Sequence, residues 1–412
     1  MLCSALMFGN YYAYDIPAAI SRPLQSYLQL DDEAFVYDLN AFYAAYSLPN
    51  TLLPLFAGVL MDSRHLHTAT VTLATLTLLG QFVFGLSLVF RSRLGCIAGR
   101  FIFGLGGESL AVAQSQLTSR WFRDDGLAFA LGMNLAVGRF GSVVNDFVSP
   151  YLVSSTRKES DGVILALTAG LIACMLSTLA AFFLVSFDRT QYRTLSPRRT
   201  QSPVKAPYRW NMLSKLGGPF WLLCLIMIFS YGTVIPFNTI HATLLQRRLA
   251  MDMVSSARIM AVPDTISMIL TPFSGTFVDR VGHRAHILAS CSLLLAWVHY
   301  ALGHANEETW FMPMVPLLVL GLCYSFLLLI WSTIPLLVPS TLTGFAFGVG
   351  QSLLNVSLTV SPIIVSALMV YDTSFYSVEM FFVGCGLSSF LLSVYMMQLD
   401  RTILGGILKS GQ

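Results

Sequence analysis

The sequence predicts an all-α membrane protein, because of its composition and its long apolar segments. Hydrophobic residues make up 55% of the 412 and charged residues 11%, whereas a soluble domain carries about 25% charged side chains. Apolar segments recur along the whole chain, and each can cross a hydrocarbon core of about 30 Å as a helix. The segments are continuous and lack the alternation of a lipid-facing strand, which excludes a barrel.

Twelve such segments can be counted, and each predicts one transmembrane helix. In chain order they are residues 1–29, 36–61, 67–90, 95–120, 126–152, 162–186, 218–246, 252–277, 285–303, 311–337, 343–370 and 375–399. The first contains Asp15 and Arg22. We expect it to be a retained helix and not a signal peptide, because it is long, lacks a basic leading region and has no clear small-residue cleavage site.

A polar and basic stretch with three prolines separates six segments from six, and the prolines discourage a continuous helix there. Lys and Arg are more numerous in the loops on the side of this stretch, which places both termini in the cytoplasm. The predicted organisation is an N-terminal six-helix half at 1–187, a cytoplasmic linker at 188–217, a C-terminal six-helix half at 218–400 and a cytoplasmic tail at 401–412.

A short loop pattern occurs at corresponding places in the two halves. GVLMDSRHLH (58–67) follows the second segment and GTFVDRVGHR (275–284) follows the eighth, which indicates an internal duplication. One interpretation is a cytoplasmic gate, in which the aspartates bind helix N-termini or arginines of a neighbouring helix. The other is a solvated turn with ordinary basic anchoring. The candidate gating residues are Asp62, Arg64, Asp279 and Arg280.

No cofactor or metal site is predicted. The cysteines have irregular spacing inside the apolar segments, as expected of small packing residues; they are Cys3, Cys96, Cys174, Cys224, Cys291, Cys323 and Cys385. Two histidine pairs, His65 with His67 and His283 with His286, have spacings that can bind metal but lie in basic cytoplasmic loops.

Ionisable side chains inside membrane segments are rare and mark candidate functional sites. Four acidic residues lie there, namely Asp15, Glu108, Asp146 and Asp264. Arg139 lies inside the fifth segment. Glu108 precedes the turn at Arg123 by 15 residues and Arg139 follows it by 16, so on adjacent antiparallel helices both lie about 23 Å from the turn.

A Glu and an Arg at one depth can form a structural ion pair, or both can face a wet cavity and hold opposite ends of a zwitterion. The first alternative is weak as a source of stability, since a buried pair is often no better than apolar side chains of similar volume. Glycines beside both residues leave room around the charges and also favour close helix packing; they are Gly104, Gly106, Gly107, Gly138 and Gly141. GLGGES is not a phosphate loop, because no strand precedes it and no Gly-Lys-Ser/Thr follows.

Twelve helices in two halves with a repeated loop resemble the major facilitator superfamily. Within it, Glu108 in GRFIFGLGGESLAVAQ, Arg139 in GRFGSVVN, and the segments YYAYDIPAA (11–19), YSLPN (46–50) and GQSLLN (350–355) are similar to the lysosomal dipeptide uniporters. The resemblance implies rocker-switch alternating access, with Glu108 meeting a peptide's amino group and Arg139 its carboxylate. It also implies a lysosomal or related acidic membrane, or the plasma membrane, and a possible glycosylated single-span accessory subunit.

Other polar or amphipathic side chains inside the segments can line a substrate cavity or make interhelical hydrogen bonds. They are Asp15, Tyr46, Asn50, Gln114, Asn145, Asn238, Tyr324, Trp331, Gln351 and Asn355. Asp264 and Arg258 lie in the eighth segment, where the resemblance is poor. They can pair with each other or adapt the site to another ligand.

The sequence therefore predicts a transporter of small zwitterions, dipeptides first, with the lipid bilayer and the substrate as its partners and no nucleic acid. The alternative within transport is a proton-coupled symporter of organic anions, sugars or other nutrients, with Glu108 or Asp146 carrying the proton. A sensor or scaffold also stays open, whereas no enzyme motif is found. The one Asn-x-Ser/Thr triplet, Asn355 to Ser357, lies inside a segment and is expected to be unavailable to glycosylation.

Overall fold

The structure is a computed structural model that describes residues 2–61, 65–123, 125–195, 211–248, 253–305, 314–372 and 374–410. This part of the chain is built of helices and turns and contains no strand, which confirms the all-α prediction. The α-helices are α1 (Phe8–Ala19), α2 (Ser21–Leu28), α3 (Asp32–Asn50), α4 (Leu53–Met61), α5 (Leu66–Val89), α6 (Arg93–Phe122), α7 (Leu127–Ser155), α8 (Glu159–Leu195), α9 (Asn211–Ser214), α10 (Gly217–Arg248), α11 (Met253–Val281), α12 (Arg284–Gly303), α13 (Met314–Phe326), α14 (Leu328–Leu337), α15 (Thr343–Tyr371) and α16 (Tyr376–Thr402).

Each of the twelve predicted spans coincides with one of these helices or with an interrupted run of them. Within the described ranges, nine spans are long and apolar enough to cross a membrane, and the bent pair α3–α4 is a tenth. The other two predicted spans correspond to α1–α2 and to α11. Both include charged residues, and charged groups lower the mean hydropathy of a helix.

Prolines explain the bend between α3 and α4. Pro49 lacks an N–H to donate to the carbonyl of Ala45, and Pro54 lacks one for the carbonyl of Asn50. With two helical hydrogen bonds missing within two turns, the pair bends by 41°.

A second proline, Pro17 in α1, is compensated by a buried arginine. The carbonyl of Ala13 has no helical donor, because residue 17 lacks an N–H. The guanidinium of Arg100 on α6 donates to that oxygen and to the carbonyl of Tyr14, both at 3.3 Å. Arg100 is only 1% exposed, and its guanidinium carbon lies 4.4 Å from the centre of the Phe84 ring. It therefore fastens the interrupted part of α1 to α6.

The helices form two compact units. Unit 1 consists of Met1–Arg120, Val137–Arg209 and Thr341–Ser352, and unit 2 of Trp121–Ala136, Trp210–Ser340 and Leu353–Gln412. Helices α7 and α15 each contribute residues to both units.

In unit 1, close packing of α5 on α6 depends on glycine. A Cβ atom on Gly99 would lie 2.5 Å from the backbone nitrogen of Phe84, and Gly80 meets the backbone of Phe103 in the same way. Small residues of this kind let transmembrane helices approach closely enough for extensive van der Waals contact. The rings of Phe84 and Phe103 then join the buried apolar core of this unit.

In unit 2, polar contacts buried between helices join α12 to α16. His299 Nδ1 and Glu379 Oε2 are hydrogen-bonded at 2.8 Å, and both side chains are fully buried. The rings of Phe237 and Phe382 lie around the imidazole, with centroids 5.1 and 4.9 Å away. Within hydrocarbon, such a pair is tolerated only because each group partners the other.

The turn between α15 and α16 is ordered by Asp372, whose carboxylate accepts hydrogen bonds from the Ser374 hydroxyl and from the backbone N–H groups of Ser374 and Ser377. The hydrogen bond from Ser374 and then those from Ser377 lower the pKa of this carboxyl well below its ordinary value. The hydrogen bonds of the ionised Asp372 therefore stabilise the folded protein fully at pH values above the ordinary pKa of an aspartate, about 3.9. This stabilisation is lost as the pH falls through the lower pKa of the folded state.

We accordingly expect Asp372→Asn to lower the free energy of unfolding by about 1 kcal/mol or less at pH 7. The same deficit should persist at pH 5, because the wild-type carboxyl is still ionised there. Thermal melting of both proteins at these two pH values checks this. Equal melting temperatures at pH 7 would show that the turn does not depend on the carboxylate.

Candidate functional site

The carboxylate of Glu108 is the centre of a polar cluster in unit 1. Helix α6 carries it, and its side chain is half-buried. Tyr46 on α3 donates its hydroxyl to Oε1 at 3.2 Å, and Gln351 on α15 donates its amide Nε2 to Oε2 at 2.9 Å. Both partners are neutral. No ion pair to Glu108 is found in the described part of the chain.

Glycines of the GLGG segment create this geometry. A Cβ on Gly104 would meet the backbone of Tyr46, and one on Gly107 would lie 2.9 Å from a carbon of the Tyr46 ring. Gly106 faces α5 on its other side, close to Thr77. Because these positions lack side chains, α6 approaches α3 closely enough for the tyrosine hydroxyl to reach Glu108.

An aromatic wall with one amide adjoins the carboxylate. The Tyr14 ring lies 4.7 Å from the Tyr46 ring and 5.0 Å from the Tyr43 ring, centroid to centroid. Asn10 on α1 donates its amide to the Tyr46 hydroxyl at 3.4 Å and is buried. Asn10 was not among the candidates from sequence, although it is a polar residue at the start of the YYAYD segment.

Arg139 lies on α7 and is half-buried. The adjacent Gly138 makes room for an aromatic ring, since a Cβ there would lie 3.2 Å from Tyr11. Gly141 meets the backbone of Phe8 in the same way. Glu108 and Arg139 thus both belong to unit 1, and the protein leaves part of each side chain uncovered. The hydrogen bonds of Glu108 go to Tyr46 and Gln351.

Three further candidates in unit 1 bind mainly to neighbouring protein groups. Asn50 donates to the carbonyl of Tyr46 at 2.9 Å and is fully buried beside the bend after α3. Gln114 donates to the carbonyl of Cys3 at 2.7 Å, which holds the N-terminal turn against α6. Asn145 accepts a hydrogen bond from Ser149 and donates to Asp146. Asp15 is half-buried on α1 beside Tyr14.

The candidate site residues of unit 2 lie on α10, α11, α13, α14 and α15. Tyr324 is fully buried and donates to the carbonyl of Val234 at 3.4 Å. Trp331 donates its indole N–H to the Tyr231 hydroxyl at 2.9 Å and is half-buried. Asn355 is half-buried on α15, whereas the side chain of Asn238 on α10 lies outside the described residues, as does that of Arg258. Asp264 is exposed on α11, and Asp146 of unit 1 is exposed on α7.

The second copy of the repeated loop binds a helix N-terminus. Asp279 accepts hydrogen bonds from the backbone N–H groups of Ala128 and Phe129, in the first turn of α7, at 3.1 and 2.8 Å. Arg284 donates to the same carboxylate at 3.1 Å and to the Ser332 hydroxyl at 2.9 Å. The negative charge thus lies at the positive end of a helix and beside a guanidinium. Arg280 is exposed.

The glycines that open the two loop copies have matching surroundings. A Cβ on Gly275 would lie 2.5 Å from the carbonyl oxygen of Ala128 on α7, and Gly58 meets the backbone of Gly344 on α15 in the same way. Each copy therefore lets its helix pack closely on a neighbouring helix. Asp62 and Arg64, the remaining gating candidates, lie outside the described residues.

The fold and its repeated loop define a class of protein. The sequence profile of the Major Facilitator Superfamily matches residues 1–362, and the chain belongs to this superfamily of membrane transporters. Its fold is that of the Escherichia coli fucose:proton symporter FucP (TM-score 0.75, 14% identity, 96% of this chain and 97% of that one). It is also that of the proton:xylose symporter XylE (TM-score 0.71, 11% identity, 98% and 95%).

Among curated proteins, the chain is similar to the lysosomal dipeptide transporter MFSD1. It is 30% identical to the Homo sapiens protein over 417 aligned positions, which cover 98% of this chain and 86% of the relative. The Bos taurus protein gives the same identity and coverage, and the Danio rerio protein is 28% identical over 98% and 86%. The resemblance inferred from the buried charges and their flanking segments is thereby confirmed.

Proposed function

We propose that the protein transports dipeptides across its membrane by alternating access, as a uniporter. One observation carries the proposal. A glutamate and an arginine of unit 1, Glu108 and Arg139, both stay partly accessible, and the glutamate is hydrogen-bonded by neutral donors. A carboxylate and a guanidinium in one unit suit a ligand that carries charges of both signs. The relatives named for dipeptide transport support this choice of ligand.

The chemistry of the two ends fits a zwitterionic peptide. A carboxylate accepts charge-assisted hydrogen bonds from an ammonium group, and a guanidinium binds a carboxylate with two parallel hydrogen bonds. Because only the termini of the peptide are held by charge, the side chains between them can vary. The aromatic wall of Tyr14, Tyr43 and Tyr46 offers apolar surface with hydroxyl groups.

We extend the proposal to the cycle and its location. The halves at 1–187 and 218–400 rock about the site, and the Asp279 contacts lock the gate when closed. The remaining candidates that the protein leaves partly accessible, Asp15, Trp331 and Asn355, line the path. A lysosomal or similar acidic membrane agrees with the names of the relatives. We also propose a glycosylated single-span subunit, since the chain's own Asn-x-Ser/Thr triplet has its Ser357 buried against the carbonyl of Ile228.

Uptake of a radiolabelled dipeptide into proteoliposomes that contain the purified protein tests the proposal. The expected result is saturable uptake that unlabelled dipeptides of varied side chains compete away and that free amino acids and sugars do not. Uptake no greater than that of protein-free liposomes would overturn it.

Replacement of Arg139 by lysine should raise the KM for dipeptides by about tenfold, since an ammonium group is a point charge that cannot bind a carboxylate with two parallel bonds. The charge is kept, so the maximal rate should change less. Initial-rate uptake over a range of dipeptide concentrations separates the two constants. An unchanged KM would remove Arg139 from the proposed site.

The alternative function is proton-coupled symport. The surroundings of Glu108 support it as well, because a half-buried carboxylate with neutral hydrogen-bond donors can carry a proton as well as bind an amine. FucP and XylE, whose fold the chain shares, are proton symporters, although a likeness of 11–14% identity shows the fold alone. Collapse of an imposed proton gradient at constant external pH decides between the mechanisms. Uptake by a uniporter continues, and uptake by a symporter falls.

A further inference from the structure

The first turns of α15 are seated on unit 1 by glycines. A Cβ on Gly58 would collide with the carbonyl oxygen of Gly344, and a Cβ on Gly348 would collide with the carbonyl oxygen of Pro54 on α4. The two α15 glycines are four residues apart, the spacing that brings one face of a helix against another backbone. Residues 341–352 accordingly belong to unit 1, whereas α15 continues from Leu353 as part of unit 2.

Gln351 adds a polar contact about one turn beyond this glycine seat. The residue is 7% exposed, and its amide donates to Glu108 Oε2 at 2.9 Å. The other carboxylate oxygen accepts from Tyr46. The amide of Gln351 therefore joins the first turns of α15 to the carboxylate of the candidate site, and both belong to unit 1.

We infer that Gln351 holds the position of the substrate's amino group when no substrate is bound, and that a bound amine displaces it. The inference rests on the proposed function of Glu108. An ammonium group adds to its hydrogen bond the attraction between two full charges, which the neutral amide of Gln351 lacks. The ammonium group competes with this amide for Glu108 Oε2 and displaces it. Amine binding at Glu108 thus breaks the hydrogen bond between Gln351 and Glu108 and loosens the first turns of α15.

This competition makes the site select for the amino terminus of the ligand and links recognition to the release of a helix. A ligand without a free amine cannot displace Gln351 and leaves α15 in place. Gln351 is in this account a positioning residue that acts through Glu108. It differs from a residue that binds the substrate, because its removal strengthens binding.

The test is the affinity of purified protein for a dipeptide and for the same dipeptide with an acetylated amine, measured by calorimetric titration. Gln351→Leu and, in case leucine crowds the site, Gln351→Ala should each bind the free dipeptide about tenfold more tightly than wild type, the value of one hydrogen bond to a charged group. Both should leave the affinity for the acetylated ligand unchanged. Ser352→Ala, which changes the next side chain of α15 and keeps the Gln351 amide, is the matched control and should not alter the ratio between the two ligands.

Weaker binding of the free dipeptide by both variants would make Gln351 a substrate ligand and overturn the inference. A wild-type protein that binds neither ligand would overturn the proposed function itself, and the inference with it. Hydrogen exchange gives a second measurement. A saturating dipeptide should speed amide exchange in residues 343–352 while leaving α5 unchanged, and protection of 343–352 would contradict displacement of Gln351.

Discussion

Glu108→Gln is expected to abolish dipeptide uptake while the protein stays folded. Glutamine has the shape of glutamate, and its amide oxygen can still accept from Tyr46. Its NH2 group can donate to the amide oxygen of Gln351 once that amide turns over, so the cluster between α3, α6 and α15 is retained. It lacks the negative charge that binds an ammonium group. Loss of a charge-assisted hydrogen bond inside a partly desolvated site lowers affinity by a factor of about a hundred. Proteoliposome uptake, with the melting temperature recorded in parallel, measures both effects.

A second carboxylate on the neighbouring helix provides the matched control. Asp146 is exposed on α7, and Asp146→Asn removes the same charge by the same chemistry. The dipeptide uniporter account expects normal uptake from this variant. Loss of uptake in Asp146→Asn with normal uptake in Glu108→Gln would favour proton-coupled symport in which Asp146 carries the proton. It would also contradict the assignment of the substrate's amine to Glu108.

The second large effect is expected at Asp279. Asp279→Ala removes the acceptor of two backbone N–H groups at the start of α7 and leaves the guanidinium of Arg284, which is 1% exposed, without its carboxylate. Breaking a buried ion pair by removing one partner costs about 3–5 kcal/mol. The melting temperature of the detergent-solubilised protein should therefore fall substantially, and uptake with it.

Arg280→Ala is the control for this effect on stability, because the neighbouring side chain is exposed and its loss leaves the Asp279 contacts intact. Its melting temperature should stay close to that of the wild type. A double variant, Asp279→Ala with Arg284→Leu, should recover part of the loss, since it no longer buries an unpaired cation. Equal stability of Asp279→Ala and wild type would remove the helix N-terminus and Arg284 as the partners that matter.

The helices could be predicted from sequence, because a run of apolar residues long enough to cross a bilayer can be recognised along the chain without knowledge of its neighbours in space. The repeated loop led to the expectation that its aspartates bind helix N-termini or arginines, and Asp279 does both. Other contacts could not be foreseen. The amide of Gln351 and that of Gln114 look alike in the sequence, yet one reaches Glu108 and the other binds the carbonyl of Cys3.

The role of Arg100 could not be predicted from the sequence either. In the sequence it is one more cation inside a segment, and its purpose appears only when Pro17 of a different helix leaves the carbonyl of Ala13 without a donor. The positions of Glu108 and Arg139 along their helices could be estimated, because each can be counted from the turn at Arg123 that joins the two helices. The partners of each side chain depend on which helices pack together, and a pattern within one helix does not contain that information.

The central claim is that Glu108 and Arg139 hold the two ends of one zwitterion, and binding of end-blocked peptides to charge variants tests it most directly. Calorimetric titration compares a free dipeptide, its N-acetyl form and its C-terminal amide on the wild type, on Glu108→Gln and on Arg139→Gln. The account predicts that acetylation weakens binding to the wild type but not to Glu108→Gln, and that amidation weakens binding to the wild type but not to Arg139→Gln. Equal losses on every protein would contradict it.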